Sequence, residues 1–449
     1  MKTVIMAGGM GTRIASIASD VPKPMIRIGG KPVLEYQIEN LKACGLTDIT
    51  LVVGHLGHVV KDYFGNGSRW GVHIGYFTED HPLGTAGALF KMPPPTDDFL
   101  LLCGDVMIDV DFRRFIDFHR SHQAWASLMA HPNGHPDDSS LLVTEVRPPA
   151  AEGLLPEDTH RVAEWLGKDD QRPFCKNRVN AGIEIISPAL LSHTMAHFAP
   201  RHPDQPDKID LDRDVLKKNI GSGRIFAYDT PEYIKDMGTP DRYHEVEHDL
   251  QSGKVQARNL KNRQKAVFLD RDGTINYHRG FLTRADQFEL ITGAASAIKA
   301  INKSGYLAIV VSNQPVIARG ECSFEQLRAI HDKMETLLGK EGAFVDAIYY
   351  CPHHPDKGFP GERPAYKRHC DCRKPKPGLL LQAAQEWNID LAQSVMIGDS
   401  ETDVLAGQQA GCRASLCIEG NKAGALPEAV GLLLACGTQS SQQILTYTD

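Results

Sequence analysis

The sequence predicts an α/β protein of two domains, each built on a parallel β-sheet covered by helices. The chain has 449 residues, about twice the length that one hydrophobic core usually supports. Short β-rich strands alternate with amphipathic helical stretches in both halves, a pattern typical of parallel sheets. Two strand–loop–helix openings with different chemistry begin at Thr3 and Ala266. Two separate α/β domains follow from these observations.

The first half opens with a strand over Thr3–Ala7, which runs directly into the glycine-rich segment Gly8–Arg13. Apolar residues at helical spacing then predict a helix over Pro32–Cys44. Short apolar runs predict strands over Ile49–Val53 and Phe99–Cys103. An abrupt change from strand to loop chemistry is typical of the active edge of an α/β sheet.

The second half opens with a strand over Ala266–Leu269, followed by the polar loop Asp270–Thr274. The later apolar patterns predict three more strands and three helices. The strands are Leu307–Val311, Ala347–Tyr350 and Ser394–Ile397, and the helices are Ala294–Ser304, Phe324–Leu338 and Leu379–Trp387.

The two halves are joined by residues 244–264, which show no buried-face periodicity. Within this stretch, Lys254–Lys265 contains five basic residues and no acidic residue. We interpret it as the end of a helix plus a solvated linker. The predicted domains are therefore residues 1–243 and 265–449.

Composition limits the classes of partner. The formal net charge is -7 and charged residues make up 23% of the chain, so no overall positive field favours nucleic acid or an anionic membrane. The longest apolar runs, such as Tyr306–Val311, are too short to cross a bilayer. The N-terminal residues do not have the pattern of a signal peptide. We expect a cytoplasmic protein with small-molecule substrates, and the sequence leaves homo-oligomerisation open.

The first glycine-rich loop predicts a nucleotide site. Gly8, Gly9 and Gly11 let backbone amides approach a triphosphate without Cβ atoms in the way. The dinucleotide-binding fingerprint fails at Ile14, and no Gly-Lys-Ser/Thr sequence occurs, which excludes a Walker loop. Cationic side chains suited to offset triphosphate charge follow at Arg13 and Lys23.

These residues resemble the sugar-phosphate nucleotidyltransferase family over residues 1–243, whose Rossmann-like sheet is of the GT-A type. The resemblance implies that Arg13 and Lys23 are catalytic and that Asp105 and Asp236 bind Mg2+. It also implies five substrate-binding residues, which are Gly84, Thr85, Lys168, Asn180 and Gly182. The sequence departs from the family pattern at Gly167, where a Glu is usual, and at Glu184, where an aromatic residue is common.

In this family, a sugar 1-phosphate oxygen attacks the α-phosphorus of a nucleoside triphosphate and pyrophosphate leaves. Because both reactants are anionic, bound metal and basic side chains are needed to reduce their repulsion and align them. The chain is most similar to the heptose-1-phosphate guanylyltransferases and their mannose-1-phosphate relatives. The sequence leaves the base of the nucleotide open.

The loop Asp270–Thr274 resembles the haloacid dehalogenase superfamily of phosphatases, which have a Rossmannoid sheet. The resemblance implies that Asp270 attacks phosphorus and that Asp272 serves as general acid and base. Asp270, the Asp272 backbone carbonyl and Asp399 would hold Mg2+ through oxygen atoms. The phosphate-binding residues implied by the resemblance are Ser312, Asn313 and Lys374.

A cysteine cluster in the second half predicts a structural zinc loop. Three thiols and one imidazole suit tetrahedral Zn2+, and we expect the ligands to be Cys351, His353, Cys370 and Cys372. His354 is an alternative to His353. The cluster runs into Arg373, which we expect to bind the distal phosphate of the substrate. This pattern resembles heptose-1,7-bisphosphate phosphatases, with zinc-bearing histidinol-phosphate phosphatases as close relatives.

Together, the two resemblances imply a bifunctional enzyme of nucleotide-activated heptose synthesis. It would remove the 7-phosphate of D-glycero-D-manno-heptose 1,7-bisphosphate and then transfer a nucleotidyl group, GMP from GTP, to the heptose 1-phosphate. The implied pathway uses the α-anomer, so we expect the phosphatase to prefer it. The alternatives are a mannose- or hexose-1-phosphate nucleotidyltransferase joined to a histidinol-phosphate-type phosphatase, and a regulatory or scaffolding protein with one inactive half.

Overall fold

The structure is a computed structural model that describes residues 1–8, 21–93, 95–201 and 204–435. Three predicted site residues, Gly9, Gly11 and Arg13, lie outside the described residues, as does the C-terminal end from residue 436.

The first domain contains thirteen described strands and eight helices. The strands are β1 Lys2–Met6, β2 Arg27–Ile28, β3 Lys31–Pro32, β4 Asp48–Val53, β5 His73–Thr78, β6 Phe99–Cys103, β7 Val106–Asp109, β8 Ala126–His131, β9 Leu141–Arg147, β10 Glu157–Leu166, β11 Val179–Ile186, β12 Ile225–Asp229 and β13 Tyr233–Asp236. The helices are α1 Val33–Ala43, α2 Gly57–Phe64, α3 Gly87–Lys91, α4 Phe112–His122, α5 Pro188–Ala196, α6 Lys217–Asn219, α7 Pro240–Gln251 and α8 Lys254–Ala257.

The main sheet of this domain has nine strands in the order β5-β4-β1-β6-β11-β8-β12-β10-β9. Strands β5, β4, β1 and β6 are parallel, but β11 runs antiparallel to both of its main neighbours, β6 and β8. The prediction of a wholly parallel sheet is therefore wrong for the first half. Strand–helix alternation reports local patterns, whereas the direction of β11 is set by pairing between distant segments.

The second domain has five strands, β14 Lys265–Leu269, β15 Tyr306–Asn313, β16 Ala347–Cys351, β17 Val395–Gly398 and β18 Ala414–Cys417. Its helices are α9 Ala294–Lys303, α10 Phe324–Lys340, α11 Gly378–Glu386, α12 Glu401–Ala410 and α13 Ala425–Ala435. The strand order is β16-β15-β14-β17-β18, and every pairing is parallel. The predicted parallel sheet is confirmed here, and the carboxyl ends of β15, β14 and β17 lie side by side.

Each sheet has hydrophobic cores on both faces. In β1, Ile5 packs into one core and its neighbour Val4 into another. In β14, Val267 and Phe268 divide between two cores in the same way. Successive strand residues point to opposite faces, so a strand apolar at every position must be covered on both sides.

The segment between the domains is packed rather than solvated, so that part of the sequence interpretation is wrong. Leu260 and Gln264 are buried. The Gln264 side-chain amide donates hydrogen bonds to three backbone carbonyl oxygens. The Arg258 guanidinium lies 3.2 Å from the Asp346 carboxylate in the second domain. The basic residues thus include a buried ion-pair partner, which composition alone does not reveal.

In the part of the chain that the structure describes, no helix is both long and apolar enough to cross a membrane. The nine described cysteines are free thiols.

Candidate active sites

The predicted phosphatase nucleophile, Asp270, follows β14 directly at the carboxyl edge of the second sheet. Its amide donates to the Ile397 carbonyl at 2.9 Å, and the residue is only 8% exposed. Lys374 Nζ donates to Asp270 Oδ1 at 2.6 Å and to the Val311 carbonyl at 2.8 Å. Burial raises the pKa of Asp270 to about 7, although the lysine charge opposes the shift. The sheet edge therefore presents a buried carboxylate held by a lysine.

The predicted general acid, Asp272, is held by side chains that the sequence analysis did not identify. The fully buried Arg271 guanidinium donates to Asp272 Oδ2 at 2.7 Å and also contacts His331 Nε2 at 3.1 Å. Asn276 and Gln314 donate to the same carboxylate at 3.0 and 2.9 Å. Burial alone would raise the pKa of Asp272, but Arg271 and these hydrogen bonds lower it below its ordinary value.

Three carboxylates in this site could hold a cation. One oxygen from each of Asp270, Asp399 and Asp403 lies within 4.8 Å of the others. Gly273 has φ +86°, and a Cβ there would lie 2.0 Å from Asp399 Oδ2, so only glycine leaves room for that carboxylate. Asp403 also lies 2.5 Å from Lys374 Nζ. Clustered carboxylate oxygens fit a hard divalent cation such as Mg2+.

The two predicted phosphate-binding residues at the end of β15 have different surroundings. The Ser312 hydroxyl accepts a hydrogen bond from Gln314 Nε2 at 2.8 Å. The Asn313 side chain forms a reciprocal pair of 3.0 Å hydrogen bonds with the Lys374 backbone. Asn313 thus positions the Lys374 segment with its own amide group.

The zinc-loop residues form a compact cluster. The sulfur atoms of its three cysteines lie 3.2 to 3.5 Å apart, far longer than the ~2.05 Å of a disulfide. His353 Nδ1 lies 3.4 Å from Cys372 Sγ and 3.7 Å from Cys351 Sγ. A tetrahedral Zn2+ site has sulfurs about 3.8 Å apart, so this donor set around a common centre fits zinc after a small expansion. Hydrogen bonding between Cys351 and Cys372 lowers the pKa of Cys372 to about 4 and raises that of Cys351, and burial raises the pKa of Cys370. Without a bound cation the cluster therefore favours a single thiolate, and zinc would have to displace the other two thiol protons.

The structure places His353 in this cluster and leaves His354 outside it. Arg373 Nη1 donates to the His353 backbone carbonyl at 3.2 Å. Arg373, the arginine predicted to bind the distal phosphate, is therefore attached to the backbone of the predicted zinc loop.

In the first domain, two predicted residues form an ion pair at the end of the sheet. Lys23 Nζ lies 2.6 Å from Asp105 Oδ2, and both side chains are partly buried. Gly8, the described member of the predicted phosphate-binding segment, packs closely, because a Cβ there would lie 2.8 Å from Glu79 Oε2 and 3.3 Å from the Gly54 amide nitrogen. Burial raises the pKa of Glu79. The role of Gly8 in admitting a triphosphate stays a prediction.

Asp236 reaches the same region through its backbone. Strand β13 pairs with β7, which opposes Asp236 to Val106, and the Met237 amide donates to the Asp105 carbonyl at 3.3 Å. The Asp236 carboxylate, however, accepts two 2.9 Å hydrogen bonds from Arg242 Nη1. Burial raises and Arg242 lowers the pKa of Asp236, and the net shift is downward. The carboxylate would have to share or leave Arg242 to bind a metal.

The loop that contains the predicted substrate-binding residues Gly84 and Thr85 packs against the segment that follows residue 208. Gly84 has φ +82°, and a Cβ there would lie 2.4 Å from the Ile209 carbonyl oxygen. Thr85 Oγ1 accepts a hydrogen bond from the Leu211 amide at 2.7 Å. These contacts hold the loop against the sheet.

The remaining predicted substrate-binding residues do not all come together. Asn180 and Gly182 lie on β11, and Gly182 has φ +68° with a Cβ position 3.2 Å from Cys103 Sγ. Lys168 is exposed in a turn after β10. The structure gives Lys168 no contact that would distinguish it from a surface lysine.

The sequence reasoning missed Arg271, Asn276 and Gln314 around Asp272, and Arg242 beside Asp236. Arg271 stands between two acidic residues in a buried loop, where an arginine must be paired. That adjacency was the available signal. Arg242 lies six residues after Asp236 on the first turn of α7, and nothing in the local pattern indicates their contact.

Comparison with known proteins finds a family match in each half of the chain. The nucleotidyl transferase family model matches residues 2–253, which is more than half of the chain. The chain belongs to the nucleotidyl transferase family. A second family model, described as HAD-hydrolase-like, matches residues 371–430, which include Lys374, Asp399 and Asp403.

Curated relatives of known activity also match about a third of the chain. A D-glycero-beta-D-manno-heptose-1,7-bisphosphate 7-phosphatase from Haemophilus ducreyi is 44% identical over 161 residues, covering 36% of this chain and 86% of the relative. The protein of the same name from Haemophilus influenzae is 45% identical over 144 residues, covering 32% and 75%. The chain therefore also belongs to the family of these phosphatases. It is a bifunctional enzyme, with a nucleotidyltransferase domain and a phosphatase domain.

Among solved structures, HddC from Yersinia pseudotuberculosis in complex with GMP-PN has 25% sequence identity and a TM-score of 0.43. The alignment covers 56% of this chain and 99% of HddC.

Proposed function

We propose that the enzyme catalyses two consecutive steps of nucleotide-activated heptose synthesis. The phosphatase domain removes the C7 phosphate of D-glycero-D-manno-heptose 1,7-bisphosphate. The transferase domain then moves a nucleotidyl group, GMP from GTP, onto the heptose 1-phosphate and releases pyrophosphate. The observation that carries the proposal is the presence of both families on one chain. The product of a heptose bisphosphate 7-phosphatase is a sugar 1-phosphate, which is the substrate class of a nucleotidyltransferase.

In the phosphatase step, an Asp270 oxygen forms a bond to phosphorus and the bond from phosphorus to the C7 oxygen breaks. Asp272 gives that oxygen a proton, so it must be protonated in the substrate complex, although Arg271 and its hydrogen bonds lower its pKa in the free enzyme. In the second half-reaction, Asp272 takes a proton from water, whose oxygen attacks the same phosphorus and returns Asp270 to a free carboxylate. Lys374 offsets the negative charge around the transferred group. Mg2+ held by Asp270, Asp399 and the Asp272 carbonyl would supply further charge neutralisation.

In the transferase step, an oxygen of the sugar phosphate forms a bond to the α-phosphorus, and the bond to the pyrophosphate oxygen breaks. No protein nucleophile is needed, so the residues act by orientation and charge. Lys23 is placed to neutralise phosphate oxygens, and Gly8 begins the loop that carries backbone donors. Asp105, with Asp236 once it is freed from Arg242, would hold Mg2+, which supplies charge stabilisation.

The zinc loop supports the phosphatase site structurally. We propose that Cys351, His353, Cys370 and Cys372 hold Zn2+ in a closed site with no open position for substrate. Arg373, attached to this loop, would bind the distal C1 phosphate. The free thiols and the nucleotide substrate are consistent with a cytoplasmic location, which we include in the proposal.

The sugar and nucleotide can be tested by offering the enzyme each of the four common triphosphates with heptose, mannose or glucose 1-phosphate. The α- and β-heptose 1-phosphates are both included, because the curated relatives are named for the β-anomer of their bisphosphate whereas we predict the α-anomer here. Measured as pyrophosphate release, GTP with α-heptose 1-phosphate is expected to give the highest kcat/KM. We expect an advantage of about tenfold or more over the β-anomer, as a misplaced charge-assisted hydrogen bond would give. A preference for mannose or glucose 1-phosphate would contradict the heptose assignment.

A further inference from the structure

Glu184 is a buried acidic residue with no assigned role. It lies within β11, where it is opposed to Leu101 of β6 on one side and to Leu128 of β8 on the other. Its side chain is 1% exposed. Neither of its carboxylate oxygens makes a well-formed hydrogen bond among the described residues, although the Asn180 side chain is close enough for a weaker polar contact with it.

Such an arrangement destabilises a folded protein. A buried polar group that lacks a partner loses its hydration without compensation, and buried carboxyl groups are rare unless paired. Leu101 and Leu128 show that apolar residues fill the neighbouring strand positions. A carboxyl group at the position of Glu184 therefore suggests that a ligand completes its hydrogen bonding.

Two other polar side chains lie next to Glu184. Burial, followed by repulsion from Asp212, raises the pKa of Glu184 well above its ordinary value, while the Asn180 side chain opposes the shift. Asn180 Oδ1 is itself buried without a partner in the described part of the chain. A protonated carboxyl group offers one donor and several acceptor positions, which is the combination that a sugar hydroxyl needs.

This group lies at the transferase site. Gly182, two residues before Glu184 on β11, has its Cβ position 3.2 Å from Cys103 Sγ at the end of β6, and Cys103 stands two residues before Asp105 of the Lys23–Asp105 ion pair. Asp212 belongs to the π-helical turn Leu211–Leu216, whose first amide is bonded to Thr85. The polar group is therefore next to the residues proposed to handle the phosphates.

A bound cation explains this group less well. In the described part of the chain, two clusters of three or more acidic, histidine or cysteine residues could hold a metal, and both lie in the second domain. Asp105, Glu184 and Asp212 do not form one. A neutral hydroxyl-bearing ligand is the better match.

We propose that Glu184, together with Asp212 and Asn180, binds hydroxyl groups of the sugar 1-phosphate and sets the sugar specificity of the transferase domain. The inference rests on the proposed transferase function. It names a residue that differs from the aromatic side chain common at this position in the family.

The test is a double-mutant cycle on the full-length enzyme, in which one change is made in the side chain of residue 184 and the other in a hydroxyl group of the substrate. Wild type, Glu184→Leu and Glu184→Gln are assayed by pyrophosphate release with the preferred sugar 1-phosphate and its monodeoxy analogues. For wild type, we expect removal of one hydroxyl to lower kcat/KM about tenfold to hundredfold. Glu184→Leu should lower kcat/KM on the parent sugar by a similar factor. On the analogue that lacks the bound hydroxyl, the same substitution should lower kcat/KM little further. The KM for the triphosphate should stay within about twofold.

Direct binding is supported if, for one analogue, the loss in kcat/KM from the substitution and the missing hydroxyl together is smaller than the product of the two separate losses. If the combined loss equals that product for every analogue, the proposal is overturned. It is also overturned if the wild-type enzyme accepts every deoxy sugar as well as the parent sugar. Should Glu184→Leu fail to fold, Glu184→Met, which has a similar length and no strong donor or acceptor, replaces it under the same criterion. Glu184→Gln keeps a donor and an acceptor, so it should retain more activity on the parent sugar than either apolar variant. If no heptose 1-phosphate is accepted, the heptose assignment fails, and the cycle is run on the hexose 1-phosphate that is accepted.

Discussion

Asp270→Asn is expected to abolish phosphate release from heptose 1,7-bisphosphate while nucleotidyl transfer continues at the wild-type rate. The amide cannot form the bond to phosphorus, so kcat should fall about a thousandfold or more, each tenfold step being about 1.4 kcal/mol of barrier. The substitution should not unfold the domain, because Lys374 keeps its contacts with Asp403 and the Val311 carbonyl. Phosphate and pyrophosphate release are measured separately on the same preparation.

The matched variant is Asp105→Ala in the other domain. It removes the partner of Lys23 and one proposed metal ligand, so pyrophosphate release should stop while phosphate release is retained. If Asp270→Asn also stopped pyrophosphate release from a sugar 1-phosphate and GTP, two independent sites would be excluded.

Cys370→Ser is expected to destabilise the second domain and remove its zinc. The purified wild-type chain should hold about one Zn2+, because closed four-ligand sites couple metal binding to folding. Loss of one thiolate should cost about 3 kcal/mol or more, which lowers the Tm of that domain by about 10 °C. Metal analysis and thermal unfolding provide the measurement, and transferase activity below that temperature should be unaffected.

Cys417→Ser serves as the control for this prediction. Cys417 is an exposed free thiol on β18, outside the cluster, so its substitution should change neither zinc content nor Tm. An undialysed, freshly purified wild-type sample without zinc would contradict the zinc assignment, as would equal losses in both variants.

The second-domain site was largely predictable from sequence because of where its strands end. The carboxyl ends of parallel strands share one edge of a sheet. Asp270, Ser312 and Asp399 each follow or end such a strand, so the motif order along the chain was enough to bring them together. The zinc cluster was predictable for another reason, since it consists of two pairs, Cys351–His353 and Cys370–Cys372, whose members are two residues apart and which are separated by only sixteen residues.

Contacts between distant segments were not predictable. The antiparallel direction of β11 depends on its pairing with β6 and β8, which no local pattern encodes. The same holds for the Arg242–Asp236 contact and for the hydrogen bond from the Asn177 amide to Glu335 across the domains. Glu184 was visible in the sequence as a departure from the family pattern, but its lack of a partner became visible only in the fold.

The most direct test of two consecutive reactions supplies the wild-type enzyme with heptose 1,7-bisphosphate and GTP as the only substrates. The α- and β-anomers are run in parallel, and phosphate, pyrophosphate and the mass of the nucleotide-linked product are followed over time. We predict that the α-anomer yields phosphate first, then pyrophosphate in equal final amount, together with a GDP-linked heptose. Phosphate release from both anomers without any pyrophosphate or nucleotide-linked heptose would contradict the proposed coupling of the two domains in one pathway.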